Sequence, residues 1–171
     1  QIHFIQILLK TNQTSDAELM VNKLTKNNYK DARVCTELAL ILNQLGQYEL
    51  SEKYYKKALK LSPKNSEIHF NLASVQRFLG NLKDAESNFN RAIYLNPHDH
   101  EAYLQRSGLR KQTQKDNHVE QLEDVLDKGV DHPLGKTQVC YALAKELEDI
   151  GSYEKSFTAL KQGADTRRQL M

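Results

Sequence analysis

Two consecutive stretches of equal length decide the fold of this chain. The first, from Ala32 to Asn65, reads ARVCTELALILNQLGQYELSEKYYKKALKLSPKN, and the second, from Ser66 to Asp99, reads SEIHFNLASVQRFLGNLKDAESNFNRAIYLNPHD. Similar residues stand 34 positions apart in the two stretches: Gly46 and Gly80, Tyr55 and Phe89, Ala58 and Ala92, Pro63 and Pro97. A fixed period of this length indicates a supersecondary unit that is used more than once.

Each stretch has the pattern of two helices joined by a short turn. Gly46 and Gly80 supply the positive φ that ends a first helix, and the two prolines stop each second helix. Small residues on both helices allow close antiparallel packing, with an aromatic ring filling the space beside them. These small residues are Ala39, Ser51, Ala58, Ala73, Ala85 and Ala92.

These markers resemble the tetratricopeptide repeat (TPR), a helix pair with a turn glycine, small residues at fixed places and a closing proline. The resemblance implies an all-α protein, a right-handed α-solenoid of stacked antiparallel helix pairs. In such an array the first helices line a concave groove that holds a peptide or a helix of a partner, and the second helices face outward.

Weaker copies of the unit flank the two clear ones. We expect a single TPR domain over residues 1–171, with a partial repeat at 1–31, repeats at 32–65 and 66–99, a degenerate repeat at 100–136 and a repeat at 137–171. This gives roughly nine helices and a short tail. Gln1 to Lys10 is then the first helix of a clipped repeat, which suggests a fragment of a longer protein, and His100 to Gln112 is the first helix of the degenerate repeat.

Composition excludes several classes of partner. The net charge is only +2, so no overall basic field favours nucleic acid or an anionic membrane. The longest apolar run, FIQILL from Phe4 to Leu9, is too short for a membrane span or a signal peptide. Cys35 and Cys140 form no cluster with other possible ligands, so neither a disulfide framework nor a zinc site is indicated. A reducing, cytoplasmic location is expected.

The resemblance also indicates which side chains face the groove. They stand at the second, fifth, ninth, twelfth and thirteenth places of the first helices, with the sixth place at the edge. The candidate binding residues among them are Asn43, Phe70, Asn71, Arg77, Leu104, Lys111, Tyr141 and Lys145. Arg77 and Lys111 occupy the same place in successive repeats, where they form either a positive stripe for acidic side chains or a solvated face. Asn71 is placed to bond a peptide backbone, whereas Phe70 and Tyr141 are either apolar anchors or repeat packing.

Three stretches that could suggest chemistry have simpler interpretations. The sequence GVDHPLGKT, from Gly129 to Thr137, has one residue too many for a phosphate-binding loop and follows a helical pattern, so it is interpreted as a connector. The HDH at His98 to His100 follows a proline in a turn between repeats. Cys35, His69 and Cys140 share a packing place within the repeat. No cofactor, metal site or catalytic set is predicted.

The stretch from Ala142 to Arg168, ALAKELEDIGSYEKSFTALKQGADTRR, has a narrower resemblance. It looks like the closing TPR unit of bacterial proteins in which a TPR array precedes a sulfotransferase domain. In that family the sulfate donor PAPS is bound by the downstream domain, so the resemblance implies a substrate-presenting arm rather than an active site.

Three functional hypotheses therefore stand together. The first is a non-catalytic interaction module that binds a peptide or partner protein in the concave groove. The second is an accessory domain cut from a TPR-containing sulfotransferase. The third is self-association through exposed terminal repeats.

Overall fold

The computed structural model describes residues 1–169, and this part of the chain forms ten α-helices and no β-strand. The helices are α1 (Ile2–Lys10), α2 (Thr14–Leu24), α3 (Ala32–Gln44), α4 (Tyr48–Leu61), α5 (Ser66–Phe78), α6 (Leu82–Leu95), α7 (His100–Ser107), α8 (Val119–Asp127), α9 (Pro133–Asp149) and α10 (Tyr153–Arg168). The all-α prediction is confirmed. Roughly nine helices were expected, and this part of the chain has ten.

The helices divide into two compact units. One contains Gln1–Asn88, and the other runs from Phe89 onward. The division falls inside α6, within the predicted repeat 66–99. Leu170 and Met171, the last residues of the predicted repeat 137–171, lie outside the described residues.

Three successive first helices begin at a capping side chain. Asp31 accepts hydrogen bonds from the backbone N–H groups of Arg33 and Val34, Asn65 accepts one from Ile68, and Asp99 accepts one from Ala102. These caps satisfy backbone donors that a helix start leaves without partners. The three caps stand 34 residues apart, so the start signal recurs with the same period as the glycines and prolines.

The turn glycines have the backbone conformation that the sequence predicts. Gly46 has a φ of 71° and Gly80 has a φ of 77°. After α3, the N–H of Gln47 bonds the carbonyl of Leu42 at 2.8 Å, which satisfies one of the last carbonyls of the helix. Helices α3 and α5 therefore each end at a left-handed glycine, and the chain reverses into the second helix.

Close helix packing forms the core of the first unit. The hydroxyl of Ser51 on α4 donates to the carbonyl oxygen of Ala39 on α3 at 2.7 Å, and Tyr55 and Ala58 are completely buried beside it. The next first helix, α5, packs on α4 through the stacked rings of Tyr48 and Phe78, whose centroids are 5.0 Å apart. Helix α4 thus buries one face against α3 of its own pair and another against α5 of the next pair.

In the second unit, α9 is the central helix and contacts α7, α8 and α10. Gly163 on α10 lies directly under the ring of Tyr141 on α9, where an added Cβ would be 2.8 Å from a ring carbon. The hydroxyl of Ser156 donates to the carbonyl of Ala144 at 2.7 Å, which repeats the bond between Ser51 and Ala39 at the same place of the last repeat. The final predicted repeat therefore has the same internal packing as the repeat at 32–65.

The degenerate repeat departs from the prediction. Its first helix, α7, ends at Ser107 rather than continuing to Gln112, and residues 108–118 form an irregular segment before α8. The carboxylate of Glu146 on α9 holds this segment: it accepts hydrogen bonds from the hydroxyl of Ser107 and from the backbone N–H of His118, the latter at 2.6 Å. Buried side-chain contacts therefore replace the last turn of the helix and the missing turn glycine.

Candidate peptide-binding surfaces

In the first unit, the candidate residues of α3 and α5 are all partly exposed. These residues are Asn43, Phe70, Asn71 and Arg77. Within residues 1–169, the side-chain amides of Asn43 and Asn71 make no hydrogen bond to the protein, so each retains its donors and its acceptor for a ligand. The guanidinium of Arg77 lies 5.4 Å from the ring centroid of Phe78, which is itself stacked on Tyr48.

In the second unit, two candidate side chains already have partners inside the protein. The ring of Tyr141 lies against Gly163, and the ammonium of Lys145 donates to the carbonyl of Arg110 and to Asp149, the latter at 2.5 Å. Leu104 on α7 is half-buried. These contacts limit how far Tyr141 and Lys145 can reach toward a ligand.

Lys111 is exposed, but it does not lie on a first helix. It falls in the irregular segment after α7, so the expectation that Arg77 and Lys111 share one helical place was wrong. Its neighbour Arg110 pairs with Asp116 at 2.8 Å, which ties that cation to the same segment. The early end of α7 is the physical reason, because a helix that stops at Ser107 no longer presents residue 111 on its face.

Cys35, Cys140 and His69, which the sequence assigned to packing, make contacts inside the protein. Burial raises the pKa values of the Cys35 and Cys140 thiols, which disfavours the reactive thiolate. His69 bonds Asn88 at 2.8 Å through one ring nitrogen and the carbonyl of Pro63 through the other. Asp99 of the HDH stretch caps α7, and no group of three or more possible metal ligands occurs among residues 1–169.

The stretch GVDHPLGKT is a helix connector, as predicted. Helix α9 begins at Pro133, and the backbone N–H of Lys136 bonds the carbonyl of His132 at 3.0 Å. Gly135 is buried within α9 against the ring of His100. A phosphate-binding loop needs free backbone N–H groups that converge on one point, and here the backbone is already helical.

A row of lysines on the surface of α4 was not identified from the sequence. Lys53, Lys56, Lys57 and Lys60 form a row on one face of α4, beside a cleft of about 760 Å³ that also includes Lys26 and the loop from Thr25 to Asn28. The spacing of three, four and seven residues along α4 was the signal, because residues at those intervals share one helix face. The row lies on a second helix, whereas the predicted groove lies on first helices.

Comparison with known proteins agrees with this architecture. The helix pairs define the class of α-solenoid proteins, and residues 31–95 match the sequence model of the tetratricopeptide repeat family. Residues 31–95 therefore carry tetratricopeptide repeats, a fold that supports protein–protein interaction scaffolds that are generally non-catalytic. A search of curated protein sequences found no significant match.

Solved structures share the fold at low sequence identity. The crystal structure of MamA has a TM-score of 0.73 at 14% identity, over 96% of this chain and 95% of that one. The C-terminal part of a TPR repeat-containing protein from Cytophaga hutchinsonii has a TM-score of 0.70 at 17% identity, over 97% and 64%. YrrB, described as a TPR protein with an unusual peptide-binding site, has a TM-score of 0.67 at 19% identity, over 98% and 84%.

A helix that crosses a bilayer must be long and mostly apolar. Among residues 1–169, no helix combines the length and the apolar composition that a membrane span needs.

Proposed function

We propose that this chain binds an extended peptide segment of a partner protein on the face formed by its first helices. The observation that carries the proposal is the pair of free side-chain amides, Asn43 on α3 and Asn71 on α5, within one compact unit. An amide side chain both donates and accepts, so it can bond the N–H and C=O groups of an extended backbone. The peptide-binding site named for YrrB, which has the same fold, supports this proposal.

The neighbouring side chains would give the site its sequence preference. Arg77 supplies a guanidinium for an acidic side chain or a C-terminal carboxylate of the peptide, and Phe70 supplies an apolar contact. The second unit would offer a surface of its own, with apolar side chains at Leu104 and Tyr141 and cations at Lys111 and Lys145. Lys145 would have to break its hydrogen bonds to Arg110 and Asp149 before it could bind a ligand, so we expect it to contribute least to the affinity.

The test begins with peptides selected from a random library against the wild-type chain. Binding of the selected peptides is then measured by fluorescence anisotropy for Asn71→Ala and Arg77→Glu. We expect each substitution to weaken binding by about tenfold, which corresponds to about 1.4 kcal/mol and to the loss of one or two hydrogen bonds.

Asn22→Ala is the matched control, because Asn22 is an exposed amide on α2, a second helix, and should leave affinity unchanged. Equal affinity of wild type, Asn71→Ala and Arg77→Glu for every selected peptide would contradict the proposed site.

Self-association is a second candidate, and it is favoured by an exposed apolar row on α10. Tyr153, Phe157 and Leu160 are 69%, 67% and 49% exposed and stand at the places of Tyr48, Glu52 and Tyr55 on α4. Those α4 residues meet α5: Tyr48 stacks on Phe78, and Glu52 accepts a hydrogen bond from Gln76. The α10 row is thus shaped to receive a first helix.

A second copy of the chain offers such a helix in α1. Phe4 and Ile7 are 52% and 43% exposed, although the residues 34 positions later, Leu38 and Ile41, are buried. In an antiparallel contact, the exposed Lys10 of α1 would meet Tyr153 and Glu154 of α10, where opposite charges attract. A contact of this kind is head-to-tail, so it builds open chains rather than a closed dimer.

Light scattering over a concentration series tests this candidate. We expect the apparent mass to rise with concentration for the wild type and to stay monomeric for Phe157→Lys. A monomeric wild type at every concentration would contradict it.

The accessory role beside a sulfotransferase domain rests on the sequence of residues 142–168 alone. Sequencing the source gene beyond the codon for Met171 tests it. A downstream domain with a phosphate-binding loop would support that role, and an immediate stop codon would exclude it.

A further inference from the structure

The lysine row on α4 places several like charges in one cleft of the first unit. The cleft contains five lysines and two glutamates: Lys26, Lys53, Lys56, Lys57, Lys60, Glu49 and Glu52. The whole chain has a net charge of only +2, so the cleft is more positive than the protein that contains it. Such local fields concentrate oppositely charged ligands.

Only some of these lysines have partners within the protein. Lys56 pairs with Glu52 at 2.8 Å, and Lys57 donates to the side-chain oxygen of Asn28 at 2.7 Å. Within residues 1–169, the ammonium groups of Lys26, Lys53 and Lys60 make no hydrogen bond or ion pair. Three cations therefore face the same cleft without a direct partner.

Glu49 and Glu52 stand four residues before Lys53 and Lys56 and attract them, but like charges at the same spacing remain along the row. Lys53 and Lys57, and likewise Lys56 and Lys60, are like charges four residues apart on one helix, and such pairs are destabilising. At the same four places, α6 carries Ser87, Asn90, Arg91 and Tyr94, so the repeat does not require lysines there. A ligand that neutralises the row would relieve this repulsion.

We propose that this cleft is a second binding site, which takes a glutamate- or aspartate-rich segment of a partner protein. Its carboxylates would pair with Lys26, Lys53 and Lys60, while the aliphatic stems of the lysines and Leu50 cover the chain between them. The site lies on α4, so it does not compete for the face that carries Asn43 and Asn71.

The composition of the cleft favours a polypeptide over a nucleic acid. Glu49 and Glu52 lie in the same cleft as the lysines and would repel a continuous row of phosphates. A peptide has backbone N–H groups that these carboxylates can accept from, and its acidic side chains can be spaced around them. No exposed aromatic ring of the cleft is available to stack on bases, since Tyr54 is only 6% exposed.

The test uses a fluorescently labelled twelve-residue peptide of alternating glutamate and serine, with the same peptide carrying glutamine as its neutral counterpart. Anisotropy is measured with the wild-type chain and with the double variant Lys53→Glu/Lys60→Glu. We expect the glutamate peptide to bind, the glutamine peptide not to bind, and the double variant to lose at least about tenfold in affinity. Circular dichroism of each variant verifies that the helices remain.

The matched control is Lys155→Glu/Lys161→Glu, which changes the net charge equally at two exposed lysines of α10. It should leave binding of the glutamate peptide unchanged. An equal loss of affinity in both double variants would show that the net charge of the protein attracts the peptide, and it would contradict the proposed site. Binding of a twelve-nucleotide single strand through Lys53 and Lys60, with no binding of the glutamate peptide, would also overturn it.

Discussion

The hydroxyl of Ser51 joins the two helices of its pair at their closest approach. It donates to the carbonyl of Ala39 at 2.7 Å, and both residues are fully buried. The repeat uses a small residue at this place so that the helices can touch, and a serine adds a hydrogen bond without adding much volume. Ala85 takes the same place in the next repeat and makes the approach without the bond.

We predict that Ser51→Ala lowers the free energy of unfolding by about 1 kcal/mol, the usual net value of one hydrogen bond. Urea unfolding followed by circular dichroism measures this change. Ser156→Ala should have a similar cost, and the exposed Ser87→Ala should have none. Equal costs of Ser87→Ala and Ser51→Ala would contradict the hydrogen-bond explanation, because alanine has the higher helix propensity and should not destabilise an exposed helical position.

Two glycines are required for different reasons. Gly46 has open space around it but a φ of 71°, whereas Gly163 is helical and lies under the ring of Tyr141. Alanine at 46 should cost about 1–2 kcal/mol through backbone strain, and asparagine should cost less because it tolerates this conformation. Alanine at 163 should cost about 1–3 kcal/mol through overpacking.

Replacing the Tyr141 ring with a smaller side chain distinguishes backbone strain from overpacking. In a Tyr141→Leu background, the cost of Gly163→Ala should fall, while the cost of Gly46→Ala should not change. Urea unfolding of the two double-mutant cycles gives both values. Equal costs of Gly163→Ala in the two backgrounds would contradict the packing explanation.

Helix α9 stabilises the irregular segment of the second unit through Glu146, a completely buried carboxylate. Burial alone would raise the pKa of Glu146, but hydrogen bonds from His118 and Ser107 outweigh burial and hold the pKa below its usual value of 4.5. Because the pKa is depressed in the folded state, the carboxylate contributes stability above about pH 4.5. That contribution is lost as the pH falls through the folded pKa.

We predict that Glu146→Gln destabilises the protein at pH 7 by about 1–3 kcal/mol, because the buried donors of His118 and Ser107 lose a charged acceptor. As the pH falls below about 4, the difference between wild type and variant should shrink, since the wild-type carboxylate becomes neutral as well. Urea unfolding at pH 7, 5 and 3.5 tests this. A difference that is constant with pH would show that Glu146 is not the group that titrates.

At the level of helices, the sequence was most informative where the markers were complete. The repeats at 32–65 and 66–99 carry glycine, proline and small residues at every expected place, and the bounds of α3, α4 and α5 follow them. The end of α7 could not be predicted in this way. It depends on Glu146, which lies 39 residues beyond Ser107 and shows its role only when the chain has folded.

The candidate site was predicted only in part for a similar reason. Periodicity placed Asn43, Asn71 and Arg77 on first helices, because helical faces follow from spacing. It could not show that Tyr141 packs on Gly163 or that Lys145 bonds Asp149, since these contacts depend on how the helices pack together. The spacing of the lysines could have predicted their row on α4. The cleft beside the row could not be predicted, because it also includes the loop from Thr25 to Asn28.

For the whole molecule, repeat architecture predicts that a destabilising substitution loosens mainly the helices near it. Within each unit the helices contact their neighbours, so stability is approximately a sum of local contributions. We predict that Leu38→Ala, which empties a buried position of α3, accelerates hydrogen exchange in α3 and α4 much more than in α9 and α10.

Val139→Ala on α9 is the reciprocal variant, because Val139 is equally buried in the second unit. It should accelerate exchange in α9 and α10 and leave α3 and α4 close to wild type. Uniform acceleration along the chain in both variants would show a single cooperative unfolding transition instead.

The capping residues Asp31, Asn65 and Asp99 have a consequence for how such a chain can change in length. Each stands immediately before a first helix, so a duplicated segment of 34 residues carries its own signal for where folding of the next helix begins. Tandem duplication within the gene therefore inserts a self-delimited module, and no compensating substitution is needed at the new junction. The length of the array can in this way evolve separately from the residues that select its ligands.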